Sequence, residues 1–215
     1  MRSIKRNTIA ALTFAAVAMV GLAGCSTGAA DDTAAPAPAE SSPSMEMDYT
    51  TDLVGAGCAA YAETVPDGSG SIVGMAQDPV AVAASNNPLL TTLTAAVSGG
   101  LNADVNLVDT LNGSEFTVFA PVDDAFAALP AETVEALMDT ANADLLTSIL
   151  TYHVVPGQIL PADIAGELTT VNGETVTVEG SGDNITVNGA NVICGGVHTA
   201  NATVYLIDGV LTPGA

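Results

Sequence analysis

Lysine and arginine are almost missing from this chain. Its 215 residues hold three, and all of them (Arg2, Lys5 and Arg6) precede Cys25. All 24 Asp and Glu follow that cysteine, so everything after it carries 24 formal negative charges and no permanent positive one. Conventional salt bridges are thereby excluded from the body of the protein. Nucleic acid and anionic lipid become poor partners, because a surface of one sign repels phosphate. Adaptation to a saline medium, where counter-ions screen the self-repulsion, accounts for such a surface, and capture of cations or of a basic partner is the functional alternative.

Catalytic chemistry is just as thinly provided. Only His153 and His198 can serve as general bases near neutral pH. There is no G-x-S-x-G elbow, no P-loop lysine, no H-E-x-x-H and no repeated Cys pair. The glycines of Gly68 to Gly74 have the wrong spacing for a dinucleotide loop and read as a turn. Two histidines supply too few ligands for zinc, and no D-x-D-x-D-G loop is present for calcium. The reading is therefore no enzyme, no cofactor and no metal.

No hydrophobic run is long enough to span a bilayer comfortably. Ile9 to Val20 follows the basic residues and leads into Leu22-Ala23-Gly24-Cys25. That pattern is a signal segment (1–24) ending in a lipobox, which implies cleavage before Cys25 and acylation of its sulfur. Two acyl chains on one residue anchor stably where one is marginal. The protein is thus expected at the bacterial cell membrane, lipid-anchored and facing outward. Lipidation leaves Cys58 and Cys194, an even pair in a compartment where disulfides persist, to be either bridged or two buried thiols.

Residues 25–52 have almost no bulky apolar side chain before Met45 and cannot offset their ordering entropy, so they read as a disordered tether. Its reach as a flexible coil is about 30 Å. Thr33, Ser41, Ser42, Ser44, Thr50 and Thr51 are candidate acceptors of O-linked sugars on composition alone.

From Leu53 the pattern turns helical. Ala56 to Val65 ends at Pro66. Asp78-Pro79 opens a short helix, and Leu89, Leu90, Leu93, Ala96 and Val97 share a face before Gly99-Gly100. Val105 to Leu111 is a further short element. Beyond Pro130, Val134, Leu137 and Met138 share a face. Asp144 is placed as the cap of a helix with Leu145, Leu146, Ile149 and Leu150 inward. A strand is expected over Tyr152 to Val155, followed by strands alternating with period two: Val176 with Val178, Ile185 with Val187, and last Thr203 to Leu211.

The chain is organised around Thr117-Val-Phe-Ala-Pro-Val-Asp-Asp-Ala-Phe126. Thr117 to Ala120 is an apolar strand that Pro121 closes, since proline cannot donate to a ladder. Asp123 stands where a helix N-cap belongs, and Phe119 and Phe126 aim at a core. This decapeptide closely resembles the first signature box of the fasciclin domain. Leu150-Thr-Tyr152-His153-Val-Val-Pro-Gly157 resembles that family's Tyr-His segment, and Thr199 to Pro213, with Asp208, its second box. The first box usually reads Thr-Asn where this chain has Val122-Asp123, and the second usually has Gly and His where Ala202 and Tyr205 stand.

The resemblance implies an α+β fasciclin-like fold over 53–215, a β-sheet wedge or small barrel packed against several short α-helices. In the family's actinobacterial branch, cysteines at positions like Cys58 and Cys194 pair, and a bridge closing so long a loop contributes roughly 4–5 kcal/mol on the chain-entropy model. It also implies a monomeric cell-surface protein for adhesion to, or recognition of, matrix, cell or envelope components, with an unidentified protein or glycan partner. An envelope carrier or sensor of a small apolar ligand is the alternative. Tyr152 and His153 are the possible adhesion contact; as strand neighbours they would face opposite ways, with His153 read as a partly buried imidazole bonded to a backbone carbonyl.

Overall fold

A computed structural model describes residues 48–214. Signal segment, Cys25 and nearly all of the tether lie outside these residues. Helices come first: α1 (Cys58–Thr64), α2 (Ile72–Met75), α3 (Val80–Asn86), α4 (Thr91–Val97) and α5 (Val108–Asn112). Strand β1 (Phe116–Pro121) follows, then α6 (Asp123–Ala127), α7 (Ala131–Met138) and α8 (Ala143–Tyr152). The rest is strand: β2 (Val154–Pro156), β3 (Gly166–Thr169), β4 (Thr175–Glu179), β5 (Thr186–Val187), β6 (Ala190–His198) and β7 (Ala202–Ile207).

The strands form one open, mixed seven-stranded sheet in the order β2-β1-β7-β6-β5-β4-β3. Only β1 and β7 run parallel, with Phe119 opposite Tyr205 and Pro121 opposite Ile207. Every residue of these two strands is buried, which is why both read as continuous apolar runs. β4 alternates buried and exposed, with Val176 and Val178 inside, the pattern of a strand with one wet face. The sheet curls until its edges approach: the N–H of Val171, just past β3, donates to the Val154 carbonyl of β2 at 2.7 Å. The architecture is the expected α+β, a sheet with several short helices, and the sheet stays open.

Two apolar clusters sit on the two sides of the central strands. One joins helices α1, α3, α4 and α8 to Val118, Ala120, Val204 and Leu206. The other lies inside the curl, where Phe119, Tyr205 and Ile207 meet Val176, Val178, Ile185 and Val187. Successive residues of β1 therefore feed opposite cores.

Several local expectations are corrected. The strand assigned from Tyr152 begins two residues later, because α8 runs through Tyr152 and His153 is its C-cap. Asp144 lies in the first turn of α8 instead of capping it; the N-cap residue is Asn142. Leu145 and Met138, both expected inward, are 46% and 51% exposed, since the core takes a narrower stripe from each helix than the apolar residues define. The last strand stops at Ile207, and Ile72–Met75 is a helical turn that continues the glycine-rich turn before it.

Candidate functional site

At the corner between α8 and β2, burial decides the geometry. Tyr152 and His153 are only 4% and 3% exposed, so this pair does not stand opposed across a strand with one member outside. His153 Nδ1 lies 2.8 Å from the Ile149 carbonyl, and Nε2 lies 2.9 Å from the Leu211 N–H. Only the neutral ring protonated on Nδ1 serves both partners: Nδ1–H donates to Ile149, and Nε2 accepts from Leu211. Burial disfavours the imidazolium and lowers the pKa from 6.5 to about 4, outweighing the Ile149 carbonyl, which raises it. The ring therefore ties α8 to the segment after β7. The Tyr152 hydroxyl donates to the Thr175 carbonyl at 2.9 Å and accepts from Asn188 Nδ2 at 2.8 Å, tying the same helix to β4 and the β5–β6 turn. As an adhesion contact the pair is thus misplaced in this fold: both side chains are spent inside it.

A second constellation lies where the chain enters the domain. Cys58 and Cys194 form a disulfide across a separation of 136 residues. It joins α1 to the middle of β6. Beside it the Val54 N–H donates to the Gly195 carbonyl at 3.0 Å, and the Gly57 N–H to Ile193 at 2.9 Å. Strand β6 bulges between Cys194 and Val197, and Gly195-Gly196 makes the close approach possible. Gly196 has φ +73°, and a Cβ there would collide with the Asp52 carbonyl. His198 Nε2 meets the Asp52 carboxylate at 3.1 Å, and the Tyr49 ring stands 6.2 Å from the imidazole. Sequence reasoning missed this clasp, because nothing local links Asp52 to a residue 146 positions on.

The first box holds a further correction. Asp123 is the first residue of α6 and does not cap it. Its carboxylate reaches α4, accepting from the Thr91 hydroxyl at 2.6 Å, the Thr92 N–H at 2.8 Å and the Thr91 N–H at 3.4 Å. Burial pushes the Asp123 pKa up, yet the Thr91 and Thr92 donors outweigh it and hold the carboxyl below its usual value. α3 is capped from afar in the same way: Asn201 accepts from the Val80 N–H at 2.8 Å and Asn112 from the Ala81 N–H at 3.1 Å. Phe119 is fully buried, its ring 5.8 Å from that of Tyr205, and Pro121 ends β1. Phe126 is only half-buried at the edge of the helix-side core.

The second box fastens the other end of the sheet. Asp208 accepts from the Asn191 backbone N–H and from its side-chain amide, both at 2.7 Å, which locks the start of β6 to the end of β7. The Tyr205 hydroxyl donates to the Ile159 carbonyl at 2.9 Å, and burial followed by the Asp52 charge pushes its pKa up. Ala202 is fully buried opposite Phe116.

Three apolar cavities between helices and sheet measure about 30, 20 and 20 Å³; the largest is lined by Leu93, Val97, Phe119, Leu150 and His153. Sites that enclose small molecules are roughly 300 Å³ or more. No group of three or more His, Cys, Asp or Glu positioned for a metal occurs among the described residues. An open groove of about 530 Å³ runs along α6 and α7.

The model of the fasciclin domain matches residues 88–213. The chain belongs to the fasciclin-domain family. The cell surface glycolipoprotein MPT83 of Mycobacterium tuberculosis is 52% identical over 221 residues, covering 100% of both chains. The immunogenic protein MPB70 of Mycobacterium bovis is 54% identical over 210 residues, covering 98% of each. Among solved structures, the FAS1 domain pair from the insect cell adhesion molecule Fasciclin I superposes with a TM-score of 0.55 at 18% identity. That likeness covers 66% of this chain and 53% of the other, and it concerns the fold alone.

Proposed function

We propose that this fasciclin protein is an envelope lipoprotein, held through Cys25 and displaying its domain outward on a short tether, where it recognises a protein or glycan partner. The observation that carries the reading is the end-to-end likeness to a cell surface glycolipoprotein, 52% over the whole chain, together with a lipobox at Leu22 to Cys25. The tether's Ser and Thr residues are the candidate sugar acceptors, in keeping with the glycosylated relative.

A binding role fits the site better than catalysis or transport. Among the described residues neither imidazole is hydrogen-bonded to a hydroxyl or thiol that it could activate: His153 meets two backbone groups and His198 the Asp52 carboxylate. The cavities are too small for an apolar ligand such as a lipid tail.

The test is fractionation. Replacing Cys25 by Ala should move the protein from membranes to medium or leave it unprocessed. Retention in the membrane fraction of a Cys25→Ala protein that is still processed to its normal size would refute anchoring through this residue. Recognition is tested separately with the soluble domain, which should bind intact cells or purified envelope material saturably; linear, non-saturable uptake would count against it.

A further inference from the structure

Resting on the recognition reading, we infer that the groove along α6 and α7 is the docking surface, and that its occupant is a cationic, amphipathic helical segment of another protein. Three observations carry this. The groove is apolar along its length: Phe126, Leu129, Ala131 and Val134 line it. Met138, 51% exposed, continues the Ala131–Val134 stripe one turn further along α7, because residues three and four apart on a helix share a face. Its volume, about 530 Å³, accommodates several side chains of a helix but stays open to solvent, which suits a protein segment laid along it better than an enclosed small molecule.

The charge of the surroundings selects the occupant. Asp123 and Glu135 line the groove, and exposed Glu132 lies on the same face of α7 as Glu135, one turn before it. No Lys or Arg follows Cys25, so no carboxylate of the domain has a permanent cation of its own to pair with. A second copy would bring acid against acid. The chain's own cations all belong to the segment before Cys25, which the lipobox marks for removal. The partner must therefore bring Lys or Arg itself, flanking apolar anchors spaced for one helical face. Complementary charge steers encounter and suppresses wrong partners, and the apolar stripe supplies the contact that outlasts it.

The probe is a synthetic Leu/Lys amphipathic peptide, titrated into the folded domain at physiological ionic strength and followed by amide chemical shifts. Saturable shifts should concentrate on residues 123–138. Glu132→Gln/Glu135→Gln should weaken binding about tenfold, the factor that about 1.4 kcal/mol produces. Met138→Ser should weaken it severalfold, while Glu167→Gln/Glu179→Gln, which removes as much charge from exposed positions on the sheet, should change it little. All five substituted side chains are exposed, so the core stays intact. Shifts spread over the whole acidic surface, equal binding of oligolysine without leucine, equal weakening by the sheet variant, or concentration-dependent dimerisation through these residues would each overturn the assignment. Failure here leaves saturable binding to envelope material standing as the test of recognition, and failure of that binding leaves peptide binding at the groove separately measurable.

Discussion

His153 and His198 stand in two regions that use the same side chain for different ends. At the α8–β2 corner, His153 is 3% exposed and each ring nitrogen meets a backbone group, so it works as a neutral cross-brace between a helix and the C-terminal segment. At the N-terminal clasp, the His198 side chain is 21% exposed and faces a carboxylate that is 45% exposed. Water competes for both partners there, and the disulfide two residues from Gly196 already holds the strand. The lesson is that burial and the permanence of neighbouring links, more than the presence of an ionic partner, decide how much a histidine contributes. The substitutions below at Cys58 and Cys194, at His153 and at Asp52 each break one region and leave the other as its control.

The largest effect should come from the disulfide. Cys58→Ala/Cys194→Ala releases a loop of 136 residues, and the chain-entropy model assigns such a loop about 5 kcal/mol. Reduction of the wild-type protein should act in the same direction. At roughly 2–4 °C per kcal/mol for a domain of this size, the melting temperature should fall by ~10 °C or more. A fall of only a degree or two would show that the clasp's backbone hydrogen bonds, and not the covalent link, keep the N-terminal segment on β6.

Next comes His153. Its removal strands the Ile149 carbonyl and the Leu211 N–H inside the protein and enlarges the cavity that its ring lines, a combined cost of about 3 kcal/mol. The same residue sets a pH dependence. Its folded pKa of about 4 lies below its ordinary 6.5, so between those values the unfolded chain holds a proton that the folded one does not. Stability should therefore rise with pH across that window and fall by about 3 kcal/mol as pH drops through it, levelling off below the folded value. Urea titrations of wild type and His153→Ala from pH 7 to 4 would isolate the contribution. An identical slope in both proteins would mean that the imidazole is not what loses stability in acid.

Much of the fold was legible because it is written in local pattern. The Thr117-to-Phe126 box gave a strand, a stop and a helix, and period two marked β4. The alternative of a carrier or sensor of a small apolar ligand has no local signature, because cavity volume depends on how distant elements pack. Tyr152 was misread because Val154 and Val155 extend an apolar, β-branched run backwards, whereas the tertiary fold lets α8 continue until the Tyr152 hydroxyl reaches Thr175 and Asn188. Asp123 stands beside α6 in the sequence yet serves α4 for a related reason. Sequence rules place the capping side chain beside the helix it caps, but Pro79 and Leu90 at the starts of α3 and α4 offer none, and the acceptors arrive from Asn201, Asn112 and Asp123. The missing local cap was visible in the sequence; the supplier was not. Asn188 carried a signal of its own, an Asn-Gly turn, and it holds φ +46° while its side chain serves Thr177 and Tyr152.

Smaller again should be the loss at Asp123, the remote cap. Asp123→Ala removes an acceptor shared by the Thr91 hydroxyl and two N–H groups at the start of α4, which should cost about 1–2 kcal/mol. Asn can still accept through one oxygen, so Asp123→Asn should retain part of the stability. Because the folded carboxyl sits below its usual pKa, its contribution is present above the unfolded value near 3.8 and is lost as pH falls through the folded one. This acid loss lies below the window assigned to His153, and the two should separate in a pH series. Equal stability of wild type and Asp123→Ala would show that α4 needs no cap because packing of Leu93 and Val97 suffices.

The smallest effect should be at the clasp's Asp52–His198 contact. Asp52→Asn keeps the side chain's size and removes its charge, leaving His198 with a neutral acceptor at the same place. Exposed or half-exposed pairs contribute about 0–1 kcal/mol, and salt screens them. With the Cys58–Cys194 bridge intact, the melting temperature should move by no more than about 2 °C. In the Cys58→Ala/Cys194→Ala background the same substitution should cost more, because the N-terminal segment then depends on its remaining links, the Val54 and Gly57 hydrogen bonds and the Asp52–His198 contact. A double-mutant cycle measures that difference. Coupling near zero would mean that the Asp52–His198 contact and the disulfide hold separate pieces of chain. A large loss in the disulfide-intact protein would reverse the comparison, placing the exposed histidine alongside the buried one in what it contributes.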